Sequence, residues 1–235
     1  MADCTVLDTV PLRIDLEPLA CRLRSAGNDH YVAALQRLVE QAVSVGRPKA
    51  MYRVGFIEER AEDTVLIDGV LFASRVLRVN LEHAHRVFLY SATCGTELAA
   101  WARGLDDLLD RYWAEAIQES ALRAAGRALH RHMVESFHLG KTATMAPGSL
   151  GDWPLSQQRP LFACLGDVQG AIGVELTDSL LMVPAKSVSG IRFPTEESFE
   201  SCQLCPRENC PGRRAPYDDT LYDRKYRPQT QVDRE

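Results

Sequence analysis

The run "DHYVAALQRLVEQAVSVGRP" sets Tyr31, Leu35, Leu38, Val39 and Ala42 at three- and four-residue spacing. That period lines them up on one stripe and predicts an amphipathic helix, ended by Gly46 and Pro48. The pattern then changes to short runs rich in β-branched and aromatic residues, "YRVGFIEE", "DTVLIDGVLF" and "HRVFLYSATCG". These read as strands, with "IDG" as a tight turn in which Gly69 takes positive φ. A longer helical stretch runs from about Glu97 to Phe137. There Leu98, Trp101, Leu105, Leu108, Tyr112, Ala116 and Ile117 keep the helical period, and Gly104 interrupts or kinks it. Its second half is rich in alanine and contains Gly126, so another backbone or a ligand can approach closely.

The remaining pattern is shorter-ranged. Glycines and prolines break "LGKTATMAPGSLGDWPLSQQ", which reads as a loop. "QRPLFACLG" predicts a short helix, "AIGVEL" a short strand, and "SLLMVPAKSVSGIRF" two strands joined at Pro184–Lys186. Residues 1–20 read as an extended lead-in. Everything after Cys210 is polar and charged, which predicts a frayed tail. The expected organisation is one α+β domain over residues 1–200, a cysteine-rich segment over 201–212, and a charged, flexible tail over 213–235.

Composition narrows the functional classes. At 235 residues, 46% of them hydrophobic, the chain can bury a substantial core without disulfide staples. The net charge is -5 and no long basic block occurs, which argues against a phosphate-driven nucleic-acid surface. No run of about 18 apolar residues is present, so no membrane-spanning helix is expected. Acidic residues in "MADCTVLDTVPLRIDLEP" break the apolar run that a signal peptide needs. A cytoplasmic protein is the expectation. Its seven cysteines then read as buried thiols and metal ligands rather than disulfides.

Cys202, Cys205 and Cys210 fall together in "SCQLCPRENCPGRR". Thiolates at this spacing can face one metal ion or one iron–sulfur cluster. Zinc prefers four ligands, and only three are local. Cys94 and Cys164 sit in apolar surroundings and read as small buried hydrophobes, while Cys4 and Cys21 are remote in sequence. A Cys-x-x-Cys redox pair and three uncoupled thiols are the other readings. His130, His132, Glu135 and His138 share a helix end, but the His-Glu-x-x-His spacing is absent. They read as a solvated helix end, not as catalytic residues.

Two segments carry a family resemblance. "MAPGSLGDWPLSQQ", Met145 to Gln158, is similar to the proline–glycine loop with which the activation domain of cobalamin-dependent methionine synthase holds S-adenosylmethionine. "LTDSLLMVPAKSVSGIRF", Leu176 to Phe193, resembles that family's Leu-Thr-Glu-Ser, Met-x-Pro and Ser-Val-Ser-Gly run, in the same order and at the same separation. "YSATCGTELAAWARGLDDLLDRYWAEAIQESAL" looks like the Thr-x-Gly turn and long helix of the family's stand-alone members. The resemblance implies a twisted antiparallel sheet flanked by helices. It also implies S-adenosylmethionine binding by Ala146, Pro147, Gly148 and Ser149 with Ser187, Ser189 and Gly190, the serines and Gly190 forming a polar strand edge beside the loop. Backbone groups around Ala146 and the Ser149 hydroxyl would meet the ligand.

The implied activity is reductive methylation of cobalamin. The cobalamin would be held by a partner, since the Asp-x-His-x-x-Gly signature is absent: a corrinoid protein or a cobalamin-dependent methionine synthase subunit on which this chain acts in trans. An electron donor protein, or an iron–sulfur cluster on the cysteines, would serve the reduction. The alternative is a non-catalytic docking module for a corrinoid methyltransferase, with zinc stapling its C-terminus. Two positions differ from the better-known domain. Thr144 stands where an arginine is expected and Ser149 where an aromatic is expected, so Lys141, Lys186 and Arg192 become candidate substitute cations.

Overall fold

The computed structural model describes residues 4–228. In chain order the elements are β1 (Thr5–Leu7), α1 (Leu16–Arg22), α2 (Asp29–Val45), β2 (Lys49–Arg60), β3 (Thr64–Ile67), β4 (Val70–Ala73), α3 (Arg75–Asn80), β5 (Arg86–Thr93), α4 (Thr96–Arg103), α5 (Leu108–Phe137), β6 (Thr142–Met145), α6 (Gln158–Leu165), α7 (Val168–Ile172), β7 (Glu175–Leu176), β8 (Met182–Val183) and β9 (Ser187–Pro194). Single helical turns at Leu155–Gln157, Ser201–Leu204 and Tyr222–Tyr226 complete the list. The α+β architecture is the one expected.

Local chemistry explains the element ends. Asn28 accepts a hydrogen bond from the Tyr31 amide and so caps α2. The long helical pattern is two helices. After Gly104 the chain leaves the helix, and the Asp107 carboxylate starts α5 by accepting from the Leu109 and Asp110 amides. Asp68 and Gly69 both take positive φ in the β3–β4 hairpin, as the turn requires.

The main sheet runs β4-β3-β2-β5-β9-β6, with β1 also on β2, and every pairing is antiparallel. β2 is long enough to pair β5 along one side and both β1 and β3 along the other. Side chains alternate between the two faces. One face buries Met51, Leu89, Ile191 and Phe193 under α3, α6 and α7, together with Trp153. The opposite face packs Tyr52, Phe88 and Ala92 against Ala125, Leu129 and Met133 of α5. The small residues of α5 let it lie close on the sheet. A third cluster joins α1, α2, α4 and the first half of α5 through Leu35, Leu38, Leu98, Trp113 and Ile117.

Four local expectations change. The lead-in contains a strand and a helix, because Leu19 and Ala20 find a core to enter. The segment read as a loop begins with β6, since Thr142–Met145 pairs with Arg192 and its neighbours on β9. Ala171 and Ile172 end α7, so only Glu175–Leu176 of the "AIGVEL" run is strand. The expected frayed tail returns to the body. Tyr226 is fully buried and Leu221 nearly so. The Tyr226 hydroxyl donates to Asn80 Oδ1 at 2.9 Å, and Arg75 Nε donates to its carbonyl at 2.9 Å. Two aromatic and aliphatic side chains outweigh a polar composition once α3 offers them a seat. The last part of that tail, 229–235, lies outside the described residues.

Candidate ligand loop and cysteine segment

The proline–glycine loop leaves the end of β6, the outer strand of the sheet. Gly148 has φ +80, a conformation that favours glycine, and its amide donates to the Trp153 carbonyl at 2.7 Å. The Ser149 amide and hydroxyl both donate to the Ala146 carbonyl, at 3.1 and 2.6 Å. These groups, expected to meet a ligand, close the turn through hydrogen bonds of their own. Pro147 is buried, Ala146 half-buried, and Gly148 and Ser149 exposed.

Below the turn, Leu150 bridges to Trp153, whose indole is fully buried in the main core. Asp152 fastens the other side. Its carboxylate accepts from the Ser74 hydroxyl and from the Val76 amide at 3.0 Å, at the start of α3. The loop is therefore held by the sheet, by a core tryptophan and by a helix cap. Sequence reading missed Asp152 and Trp153, although both stand in the quoted motif.

The "KSVSG" residues do not act as one group. β9 lies between β5 and β6, but β6 pairs only Ile191–Pro194, so over Ser187–Gly190 the strand pairs β5 alone, on the stretch expected as a strand edge. Ser189 is 2% exposed and its hydroxyl accepts from Gln158 Nε2 at 3.5 Å, beneath α6. The Ser187 hydroxyl donates to the Pro184 carbonyl at 2.7 Å and lies within hydrogen-bond distance of the Thr93 hydroxyl, at 2.9 Å. Gly190 is on the other face. A Cβ there would lie 2.5 Å from the Met145 carbonyl and 3.0 Å from the Tyr90 hydroxyl. Only glycine lets the Tyr90 side chain lie across β9 beside the residue that opens the loop.

The three candidate cations separate clearly. Lys186 lies 3.6 Å from Glu115. Lys141 Nζ donates to the Glu196 carbonyl at 3.3 Å. Arg192 stands directly across from Thr144 in the β6–β9 register, on the α5 side of the sheet. Its Nη1 donates to the Thr142 hydroxyl at 2.9 Å, and its buried Nε has no partner. Burial lowers the Arg192 pKa, and Arg214 nearby lowers it further. Burial raises that of Tyr90, against the opposing pull of Arg192 and Arg214. His130 is pushed down by burial first and by Arg192 second. His132 is half-buried with its ring 5.7 Å from Tyr52, while His130, Glu135 and His138 are exposed, in keeping with a solvated helix end.

The cysteine segment is organised around a guanidinium. Arg213 donates from Nη1 to the carbonyls of Cys202 at 3.1 Å and Ala215 at 3.3 Å, and from Nη2 to those of Cys205 at 3.1 Å and Arg207. Cys202 Sγ accepts from the Arg214 amide at 3.4 Å, and this bond is the first cause of its lowered pKa. Among the described residues, no group of three or more His, Cys, Asp or Glu side chains is placed to hold a metal ion. Cys202, Cys205 and Cys210 are each half-buried and in no disulfide. Arg213 gathers the segment from its carbonyl side and bonds none of the three thiols, on which an iron–sulfur or zinc centre was the expectation. Cys94 and Cys164 are buried hydrophobes as expected, with burial raising both pKa values to about 11.

A groove of about 810 Å³ lies where β6 begins, lined by Asn80, His83, Lys141, Glu197 and Lys225 among others. Of the sequence-predicted ligand and metal residues and the candidate cations, Lys141 alone lines it. No helix of the described residues is long and apolar enough to cross a membrane.

Comparisons with known proteins agree with the resemblance read in the sequence. Residues 141–204 match the family model described as vitamin B12 dependent methionine synthase, activation domain. That span contains the loop, β6 and β9. A solved structure titled "Crystal Structure of the MetH Reactivation Domain bound to AdoHcy" shares the fold with a TM-score of 0.53 at 14% identity, covering 85% of this chain and 81% of that one. No curated protein matches.

Proposed function

We propose, taking the activation-domain match over residues 141–204 as the premise, that this chain supports reductive methylation of cobalamin held by a partner. The partner is a corrinoid protein or a cobalamin-dependent methionine synthase subunit, and the chain acts on it in trans. The observation that carries the reading is the rigid loop at the end of β6. Its match, its burial and its triple anchoring all fall on the segment that the family uses. The neighbour of the same fold was solved with AdoHcy bound, which supports an adenosyl ligand here.

The loop is suited to shape a ligand surface more than to donate hydrogen bonds. Pro147 and Gly148 fix the turn, and Ala146 and Ser149 flank it. Gly190 keeps the adjoining strand low. Ser187 and Ser189 hold β9 from its other face and position that surface. S-Adenosylmethionine, when bound, supplies the methyl group, and the partner's reduced cobalamin is the nucleophile. The residues here have to orient the sulfonium and exclude water, which is where a positioned reaction gains most of its rate. The electron comes from a separate donor protein.

Calorimetry with S-adenosylmethionine tests ligand binding directly. Saturable heat is expected, together with a raised thermal midpoint. A reactivation assay with an oxidised, inactive corrinoid protein and a chemical reductant then tests the partner chemistry. Heat without reactivation would leave an adenosyl-binding module. The closed hydrogen bonding of Gly148 and Ser149 favours a second reading, a docking module without chemistry. That reading expects complex formation with the corrinoid protein and no heat from S-adenosylmethionine.

A further inference from the structure

We propose that Cys202 and Cys205 form a redox-active dithiol, which exchanges with small-molecule disulfides and closes into a disulfide of its own. The reading is independent of the ligand loop and gives the cysteine segment a chemistry built from its own turn.

The inference starts from backbone geometry. Ser201–Leu204 is a tight 3-10 turn, and the Cys205 amide donates to the Cys202 carbonyl at 3.3 Å. In such a turn, side chains three residues apart lie one above the other. The closing bond keeps their Cα atoms within about 7 Å, the reach of a disulfide. Cys210 belongs to a second turn, in which the Arg213 amide donates to its carbonyl at 3.1 Å. The exposed stretch 206–209 separates the two turns. The sequence offers several pairings of these thiols, and the first turn selects one. That turn is also well supported. The Glu200 side chain accepts from the Gln203 amide, and Gln203 Oε1 accepts from the Glu200 amide at 2.9 Å, a reciprocal cap. Arg213 holds the carbonyls of both cysteines at 3.1 Å. None of these bonds uses a sulfur, so the backbone keeps its supports whether the thiols are free or joined.

The two thiols have different roles. Cys205 packs against the main core. Cys202 Sγ instead accepts from the Arg214 amide at 3.4 Å, a donor that steadies sulfur both as nucleophile and as leaving group. Cys202 is therefore the attacking thiol and Cys205 the resolving one. The Cys202 thiolate attacks one sulfur of a small disulfide, forming a mixed disulfide and releasing one thiolate. Cys205 gives up its proton, attacks Cys202 Sγ and releases the second thiol. The protein loses two electrons and two protons, and the small disulfide gains them. The same turn seats the C-terminal return, since the Asp218 amide donates to the Gln203 carbonyl at 2.9 Å. Closing the disulfide tightens the base from which Leu221 and Tyr226 reach the core.

The test exposes the reduced full chain to glutathione disulfide under native conditions and maps the links by peptide mass spectrometry. A Cys202–Cys205 link should form, should be reversed by dithiothreitol, and should be favoured at least about tenfold over the same link in the chain unfolded in urea. By linkage, the oxidised chain must then resist urea unfolding by the same factor. Cys205→Ser should accumulate glutathione on Cys202, for want of a resolving thiol. Cys202→Ser should react about tenfold more slowly than the wild-type chain. A link made to Cys210 instead, or one no more favoured in the folded chain than in the unfolded one, overturns the pairing. Protection of all three cysteines until a chelator is added, with no link formed afterwards, overturns it in favour of a metal.

Discussion

The proline–glycine loop and the cysteine segment are both irregular, both rich in turn residues, and both promising in sequence, yet they are built in opposite ways. The loop is anchored from outside itself: β6 feeds it, Trp153 plugs it into the core, and Asp152 ties it to α3. The cysteine segment is anchored mainly from within, by one arginine that collects four of its carbonyls. External anchoring fixes a surface relative to the rest of the protein, which ligand positioning demands. Internal anchoring fixes only the segment's own shape. The contrast suits the first to the proposed ligand binding and leaves the second shaped from within.

The most damaging way to break the contrast is to remove the loop's plug. Trp153→Ala empties a fully buried site and should cost about 3–5 kcal/mol, read as a lower midpoint in urea unfolding. Binding of S-adenosylmethionine should be lost in the same variant under folded conditions, because the turn no longer has a fixed seat. Next is Gly190→Ala. Its Cβ would meet a backbone carbonyl at 2.5 Å, so β6 and β9 must part. About 1–3 kcal/mol of destabilisation is expected, with amide exchange accelerating at Thr142–Met145 before it does in β2 or β5.

Arg213→Ala tests the other side of the comparison. Four carbonyls lose a charged donor, but they are near water, so the cost should be about 1–2 kcal/mol. Hydrogen exchange should speed up over 201–215 and stay unchanged in the loop. A loss of S-adenosylmethionine affinity in this variant would mean that the two regions are coupled after all.

The sheet, the α2 and α5 helices and the hairpin at Gly69 were legible because their patterns are local and long enough to declare a period. β6 was not, since four residues among glycines and prolines become a strand only when β9 is present to pair with them. The C-terminal return was hidden for a related reason. Leu221 and Tyr226 look isolated in a charged run, and only the groove beside α3 makes them core. At the site, the loop was legible through its motif. The roles within it were not, because the sequence cannot say that Ser149 bonds to Ala146 or that Arg192 faces Thr144. Strand register decides the second point, and it depends on chain segments about fifty residues apart.

The smallest effect is the most selective. Cys202 has its thiol pKa lowered from an ordinary 9.0, first by the Arg214 amide and also by the Arg214 charge. Alkylation follows the thiolate, so its rate at Cys202, read by peptide mass spectrometry, should reach half-maximum below pH 9.0. Cys94 and Cys164, held near 11 by burial, should stay unlabelled across the same range. In Arg213→Ala the Arg214 amide loses its fixed position, and the Cys202 midpoint should move back up toward the ordinary value. The sign separates the two accounts of the segment. If Arg213 organises it, removing Arg213 makes Cys202 less acidic and the segment looser. If a metal organises it under anaerobic conditions, Cys202, Cys205 and Cys210 should be protected together, released together by a chelator, and indifferent to Arg213. A shared protection of that kind would reverse the assignment drawn from the hydrogen bonds and return the cysteines to the chemistry of the site.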